Sequence, residues 1–188
     1  MIKGEKMYQP QKENKSRTFV KDCITGALFE LLKKREFEDI TITDIINKAG
    51  VSRMGFYRNF TSKENVVEKF IFDKFVQTVE EIKSRRALNF HIKNIMITTL
   101  ENFQKFSCYI KLFLDKNLDN LLYRCYHKAY YTLYQGEKES PIHKYSNEMF
   151  IGELFNLEMC WVRSGMKESP KELARIYYHI LSLRCKSK

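Results

Sequence analysis

The stretch from Thr41 to Glu64, TITDIINKAGVSRMGFYRNFTSKE, constrains the fold of this chain more than any other segment. Thr41 is a favourable helix N-cap, and Asp44, three residues later, can complete a capping box. Apolar residues then recur at helical spacing up to Ala49, and Gly50 follows where a left-handed backbone conformation can end the helix. The pattern predicts a short helix that ends in a tight turn.

A second short helix is predicted directly after this turn. Ser52 can cap it, and Phe56 and Phe60 lie on its apolar side. A helix this short is not stable alone, so it has to pack on its predecessor and leave its other side free. That free side carries Arg53, Met54, Tyr57, Arg58 and Asn59. Two helices joined in this way are typical of a helix-turn-helix, whose second helix enters the DNA major groove.

The same residues resemble a known family. Ala49–Ser52, Phe56-Tyr57, Phe60 and Ser62–Glu64 follow one another as in the DNA-binding domain of TetR-family transcriptional regulators. The resemblance covers the N-terminal third of the chain. The family often has a Thr-Leu pair before the Tyr, where this chain has Gly55-Phe56. The absent side chain at Gly55 is expected to let the helix backbone approach DNA closely.

The resemblance implies which residues contact DNA. In the first turn of the recognition helix, Arg53 can pair with guanine and Met54 can pack on a thymine methyl group. Tyr57 and Lys63 lie where the family commonly contacts the phosphate backbone, and hydroxyls and amides at helix starts can also bind phosphates. The expected DNA contacts are Thr41, Ser52, Arg53, Met54, Tyr57, Arg58 and Lys63.

Composition narrows the class of protein further. Only 7 Gly and 3 Pro among 188 residues, without long apolar-polar alternation, favour an all-α fold. No apolar run is long enough for a membrane span, and no signal peptide or membrane partner is expected. The 5 cysteines are scattered, which favours free thiols and a cytoplasmic location. The net charge of +10 suits a polyanionic partner but does not by itself establish one.

Three regions are expected along the chain. They are a flexible basic arm at 1–15, a helix-turn-helix DNA-binding domain at 16–62, and an effector-binding and dimerisation domain at 63–188. The first head helix is predicted from Ser16 to Arg35. A longer helix starts at Thr61 or Ser62, with Glu64 as its capping-box partner, and runs towards residue 86.

Five more helices are predicted in the body, which makes about nine in all. Their predicted ranges are 89–105, 108–116, 119–136, 143–165 and 170–185. Asp119 and Ser169-Pro170 read as helix starts, and Gly165 reads as a helix end.

The body is rich in aromatic residues, which either form its core or line an effector pocket between helices. The candidates for contact with a small apolar or aromatic effector are Tyr109, Phe113, Tyr126, Tyr130, Phe155, Met159 and Trp161.

The last two helices are candidates for a dimer interface. In TetR-family proteins these helices commonly form a four-helix interface between two subunits. The pattern W-x-x-x-G-x-x-x-S-P-x-E-L-A, from Trp161 to Ala174, also resembles a C-terminal region of TetR-like regulators from Gram-positive bacteria. The expected interface residues are Leu154, Leu157, Trp161, Leu173, Ile176, Tyr177 and Ile180.

Catalysis and metal binding are not expected. The 4 histidines are far apart in the sequence, and no nucleophile–base pattern or glycine-rich phosphate loop is present. The sequence therefore predicts neither catalytic residues, a metal site nor a cofactor.

The sequence predicts a homodimeric transcriptional regulator that binds a palindromic operator on double-stranded DNA. Repression, with release by an effector, is the leading interpretation. Two alternatives stay open: an activator, and a helical regulator or interaction protein controlled by a protein partner without a small-molecule ligand.

Overall fold

The computed structural model describes residues 15–86, 93–133 and 140–186, and every regular element in these ranges is a helix. Within these ranges the helices are α1 Lys15–Leu32, α2 Ile42–Ala49, α3 Arg53–Tyr57, α4 Lys63–Arg86, α5 Lys93–Asp115, α6 Asp119–Leu133, α7 Pro141–Arg163 and α8 Pro170–Lys186. The all-α fold is confirmed. The expected N-terminal arm lies, except for its last residue, outside the described ranges.

The head consists of α1, α2 and α3 around a small apolar core. α1 packs against α2, and α2 packs against α3. Leu28 of α1, Ile45 of α2 and Phe56 of α3 are fully buried in this core. Burial of a Phe side chain contributes about 2 kcal/mol, so Phe56 anchors a helix that is too short to form alone.

α4 joins the head to the body, since it packs against α1 on one side and against α5 and α6 on the other. Ser62 Oγ accepts a hydrogen bond from the Asn65 amide at 3.1 Å, and Asn65 Oδ1 accepts one from the Thr61 amide at 3.2 Å. The cap therefore pairs Ser62 with Asn65. The prediction of Glu64 as capping partner was wrong, because α4 begins at Lys63 and Asn65 is its third residue.

The body is built around α5, which packs against α4, α7 and α8, while α6 packs against α4 and α7. Leu100, Phe103 and Ile110 of α5 are buried in the body core. Trp161 of α7 stacks on Phe103 with ring centres 6.2 Å apart.

α5 is one continuous helix in the region where two helices, 89–105 and 108–116, were predicted. Residues 89–92 of the first predicted helix lie outside the described part. Ser107 does not start a new helix, because its hydroxyl donates to the Gln104 carbonyl 2.9 Å away within α5. No Gly or Pro interrupts this helix. The described residues therefore hold eight helices instead of about nine.

The other helix ends lie close to their predicted positions. α1 ends at Leu32, three residues before the predicted Arg35, and α7 begins at Pro141 after an N-cap at Ser140. The predicted helix starts at Asp119 and Pro170 are confirmed. α7 ends just before Gly165, which has a φ of +81°. No helix within the described ranges is long and apolar enough to cross a lipid bilayer.

Candidate nucleic-acid interface

The capping box at the start of α2 is present. Thr41 Oγ1 accepts a hydrogen bond from the Asp44 amide at 3.1 Å, and Asp44 Oδ2 accepts one from the Thr41 amide at 2.8 Å. The Asp44 carboxylate also accepts a hydrogen bond from the Thr41 hydroxyl at 2.7 Å. The two bonds that Thr41 donates to the carboxylate, assisted by the Arg35 guanidinium 3.1 Å away, lower the pKa of Asp44. At the other end of α2, Gly50 adopts a φ of +65°, and its amide donates to the Ile46 carbonyl. Both ends of α2 are therefore fixed by local bonds.

The start of α3 explains the glycine at position 55. Ser52 Oγ accepts a hydrogen bond from the Gly55 amide at 3.0 Å. A Cβ atom at residue 55 would lie 3.2 Å from the same oxygen, which is a tight contact. The N-cap therefore supplies an internal reason for Gly55, and close approach to DNA stays a prediction.

The exposed side of α3, called here the DNA face, consists of Arg53, Met54, Tyr57 and Arg58. Met54 is 64% exposed and Tyr57 is 47% exposed. The Arg53 guanidinium lies 5.9 Å from the centre of the Tyr57 ring, and Arg58 Nη2 lies 3.3 Å from Met54 Sδ. The four side chains thus form two contacting pairs, Arg53 with Tyr57 and Met54 with Arg58, which together present two cations, an aromatic ring and a thioether.

The charge around the DNA face has one sign. Residues 45–63 contain four basic residues and no acidic residue. Thr41 and Ser52, the two N-cap residues, are also exposed, as the prediction of phosphate contacts requires. Residues 45–63 can therefore approach a polyanion without acidic side chains of their own, whereas the Thr41 hydroxyl lies 2.7 Å from the Asp44 carboxylate.

Asn59 does not belong to the exposed side of the recognition helix, where it was expected. The residue is buried, and its Nδ2 donates to the Gly55 carbonyl at 2.8 Å. The ammonium of Lys69 donates to the Asn59 carbonyl. Asn59 thus fixes the end of the recognition helix from inside.

Lys63 is directed into the head. Its ammonium donates to the carbonyls of Phe37 at 2.5 Å, Glu38 at 3.1 Å and Ile40 at 2.9 Å, and lies 4.6 Å from the centre of the Phe37 ring. An ammonium has three N–H donors, and three carbonyls occupy them here. Lys63 therefore ties the start of α4 to the loop between α1 and α2, a role that the sequence did not indicate.

The candidate effector residues lie at separate places in the core. Tyr109 and Phe113 of α5 pack at the junction with the head, with ring centres 4.9 and 5.3 Å from that of Phe29. Tyr126 and Phe155 lie 5.2 Å apart between α6 and α7.

The remaining candidates are also held by neighbours inside the body. Tyr130 is half-buried and donates to Asn147 at 3.0 Å. Met159 is buried, and Trp161 donates to the Glu168 carbonyl at 3.0 Å. These contacts give the candidates structural roles at several positions, and effector binding by them stays a prediction.

A groove of about 640 Å³ lies between α1 and α4, where the head meets the body. We call it the junction groove. Of the candidate effector residues, only Tyr109 is among its lining residues. Its walls come from residues spaced along one face of each helix, such as Thr18, Asp22 and Phe29 on α1. The spacing of these residues on α1 can be read from the sequence. The sequence does not show that α4 packs beside α1 and forms the other wall of the groove.

A buried acid in the body was not anticipated from the sequence. Tyr126 of α6 donates its hydroxyl hydrogen to Glu158 Oε2 of α7 at 2.8 Å. Burial raises the pKa of Glu158 from 4.5 to about 8, although the hydrogen bond from Tyr126 opposes this shift. Burial also raises the pKa of Tyr126. Glu158 is therefore a neutral acid at neutral pH, and it links α6 to α7 in the body core.

The predicted interface residues divide into two groups. Leu154, Trp161 and Leu173 are buried within the subunit, so in this structure they offer no surface to a second copy. Ile176 and Ile180 are 41% and 43% exposed. The other two predicted residues, Leu157 and Tyr177, are half-buried.

The described side chains form neither a metal site nor a disulfide. Within the described ranges, no group of three or more His, Cys, Asp or Glu side chains is arranged to hold a metal ion. Cys23, Cys108, Cys125 and Cys160 are free thiols, while the side chain of Cys185 lies outside the described part. Burial raises the pKa of Cys125 to about 12, which keeps this thiol protonated.

Comparison with known proteins agrees with the geometry of the head. The model of the family "Bacterial regulatory proteins, tetR family" matches residues 24–70, from α1 into α4. The HTH-type transcriptional regulator AlkX of Mycobacterium tuberculosis is 25% identical over 91 residues, which are 48% of this chain and 42% of that protein. The match thus spans less than half the length of this relative.

Two solved structures share the fold. Lin0861 from Listeria innocua superposes with a TM-score of 0.76 at 18% identity, over 94% of this chain and 96% of that one. The fatty acid degradation regulator FadR from Bacillus halodurans superposes with a TM-score of 0.53 at 18% identity, over 91% and 96%. At these identities the likeness shows the fold alone.

The family match coincides with the helix-turn-helix and its caps, and the family consists of transcription factors that are not enzymes. Residues 24–70 are therefore similar to the DNA-binding part of bacterial regulatory proteins of the TetR family.

Proposed function

We propose that the protein is a homodimer that binds a palindromic operator through its DNA face and represses transcription until an effector releases it. The observation that carries this proposal is the DNA face itself. Two arginines, a tyrosine and a methionine project from a helix that the buried Phe56 holds in the head. These side chain types suit both base edges and phosphates.

Each residue of the DNA face has a role in this proposal. Arg53 and Met54 stand in the first turn of the recognition helix and meet base edges in the major groove. Tyr57 and Arg58 contact phosphates beside them. Thr41 and Ser52 mark the two helix starts, where the amides of the first helical turn favour phosphates, although the amide of Thr41 itself donates to Asp44.

Lys63 acts indirectly in this proposal. Since its three donors bind carbonyls of the α1–α2 loop, it positions the head on α4 instead of contacting a phosphate. The phosphate contact that the family resemblance implies for this residue would require these bonds to break.

Dimerisation follows from the way a helix-turn-helix reads DNA, since one head reaches only a half-site. Ile176, Ile180 and Leu183 are spaced by four and three residues on α8, which places them along one face. All three are exposed, which is unusual for large apolar side chains in a row. A second copy would cover this stripe by symmetry.

Control by a protein partner is the second candidate. Ile142, Tyr145 and Met149 at the start of α7 are exposed and spaced by three and four residues. An exposed apolar stripe of this kind suits the binding of a helical co-regulator. In either case the protein acts in the cytoplasm, where bacterial DNA lies.

Selection of DNA from a random pool tests the proposal. We expect an enriched palindrome whose half-sites are about 10 base pairs apart, or a multiple of one helical turn. The variant Arg53→Ala should select a sequence whose preference is relaxed at one base pair of each half-site. Lys83→Ala, with the same loss of charge about 30 Å along α4 from its start at Lys63, should select the wild-type sequence. A pool without any enriched sequence would contradict the proposal.

A further inference from the structure

We propose that the junction groove binds the effector, and that the effector is an anionic amphipathic molecule with an alkyl or aromatic body and one acidic group. This inference rests on the proposed control by an effector. It assigns the effector to the boundary between head and body, where the sequence did not place it.

The size of the junction groove suits a small molecule. Its volume of about 640 Å³ lies within the range of about 300–1,000 Å³ that is usual for ligand pockets. α1 and α4 form its two long walls, and Phe60 of the head and Tyr109 of α5 also line it. A ligand here would touch both the head and the body.

Gly26 shows that the α1 wall faces open space. A Cβ atom built on Gly26 would have no other atom within 4 Å. Gly inside a helix is destabilising relative to Ala, and no close neighbour within the subunit requires it here. The space beside Gly26 is therefore free to receive part of a ligand.

The lining of the junction groove defines the chemistry of the ligand. Its aromatic side chains can cover an apolar body, and its charged side chains include three lysines and two aspartates. The aromatic residues are Phe29, Phe60, Phe70, Phe72 and Tyr109, and the charged residues are Lys21, Lys69, Lys74, Asp22 and Asp73. The excess of one positive charge favours an acidic group on the ligand.

Lys69 connects the junction groove to the recognition helix. It lines the groove, its ammonium donates to the Asn59 carbonyl, and it lies 5.2 Å from the centre of the Phe60 ring. Asn59 in turn donates to the Gly55 carbonyl at 2.8 Å. Two hydrogen bonds therefore lead from the groove to the middle of α3.

An acidic ligand would compete for this lysine. A carboxylate or sulfonate accepts a charge-assisted hydrogen bond, which is stronger than the bond that a neutral carbonyl accepts. When Lys69 turns to the ligand, the Asn59 carbonyl loses its donor and the end of the recognition helix loosens. Ligand binding then lowers the affinity of the protein for the operator. Operator binding lowers its affinity for the ligand by the same factor.

The first arm of the test measures binding with the full chain and one probe, anilinonaphthalene sulfonate, whose fluorescence rises on apolar surfaces. We expect saturable binding to the wild type and to Gly26→Ala. We expect loss of that binding in Gly26→Phe, because the new ring fills the groove. If Gly26→Phe does not fold by circular dichroism, Gly26→Leu serves the same purpose. Equal binding by the groove-filling variant and the wild type would overturn the proposal.

The second arm measures operator affinity with and without saturating probe. In the wild type and in Gly26→Ala the probe should weaken operator binding by about fivefold or more. In the groove-filling variant and in Lys69→Met the affinity should not respond to the probe. A probe that occupies the groove but leaves wild-type affinity unchanged refutes the effector role.

The two proposals fail in different ways. If the wild type selects no DNA, the proposed function is wrong, and the binding arm alone still decides whether the junction groove is a ligand site. If the wild type selects an operator but the groove-filling variant binds the probe normally, only the groove proposal is wrong.

Discussion

Replacing Lys63 by Met separates a positioning role from a phosphate contact. The Met side chain keeps an apolar stem against Phe37 but removes the ammonium that donates to three backbone carbonyls. The carbonyls of Phe37 and Ile40 are involved in partly buried bonds, whereas the bond to Glu38 is exposed. Water can replace the exposed bond, so the two partly buried bonds decide the cost.

The structure gives the magnitude of the effect. A hydrogen bond from a charged group contributes about 1.5–3 kcal/mol, and partial access of water reduces this value. Two such bonds predict that Lys63→Met lowers the free energy of unfolding by about 2–4 kcal/mol. Operator affinity should also fall, because the loop before α2 and the start of α4 lose their common anchor.

The dependence of affinity on salt distinguishes the two roles. Loss of a phosphate contact would reduce the slope of log affinity against log salt by about 0.9. We expect an unchanged slope for Lys63→Met, together with a lower melting temperature. Lys83→Met, at an exposed position far along α4, is the matched control and should change neither quantity. A reduced slope with unchanged stability would refute the reasoning and assign Lys63 to the DNA contacts.

Three further predictions concern base reading, assembly and pH. Arg53→Ala should weaken operator binding by about 1–3 kcal/mol and relax the preference at one base pair, as competition with substituted operators would show. Ile176→Asp combined with Ile180→Asp should give a folded monomer in light scattering, while the equally non-conservative Ile142→Asp should remain a dimer. Because the pKa of Glu158 is raised to about 8 in the folded state, its contribution to stability is present below pH 4.5 and is lost as pH rises to about 8. Glu158→Gln keeps the tyrosine hydrogen bond and should remove this decline in urea unfolding measured across the same pH range.

The parts of the site that depend on neighbouring residues in the sequence could be predicted. The caps at Thr41, Gly50 and Ser52 need only residues within four positions, and the buried side of α3 follows from helical spacing. The sequence therefore defined the helix-turn-helix and its exposed face. The confirmed helix starts at Asp119 and Pro170 belong to the same local chemistry.

The parts that depend on contacts between distant segments could not be predicted. Lys63 reaches carbonyls more than twenty residues away, so its neighbours in the sequence do not indicate its role. Glu158 looks like one more polar residue on α7, and only the approach of α6 makes it a buried partner of Tyr126. The junction groove likewise exists only after α1 and α4 come together. α5 was predicted as two helices, 89–105 and 108–116, although its sequence contains no Gly or Pro that would interrupt it.

The most direct test of the account is the ratio between the affinity for the selected operator and the affinity for scrambled DNA of equal length at physiological salt. A protein that reads bases through the DNA face should bind the operator at least about 10³-fold more tightly, since base contacts are lost on the scrambled sequence. The same ratio measured for Arg53→Ala should be lower, while that for Lys83→Ala should equal the wild-type ratio. A wild-type ratio close to one would mean that the basic head binds DNA only as a polyanion, and it would contradict the central claim.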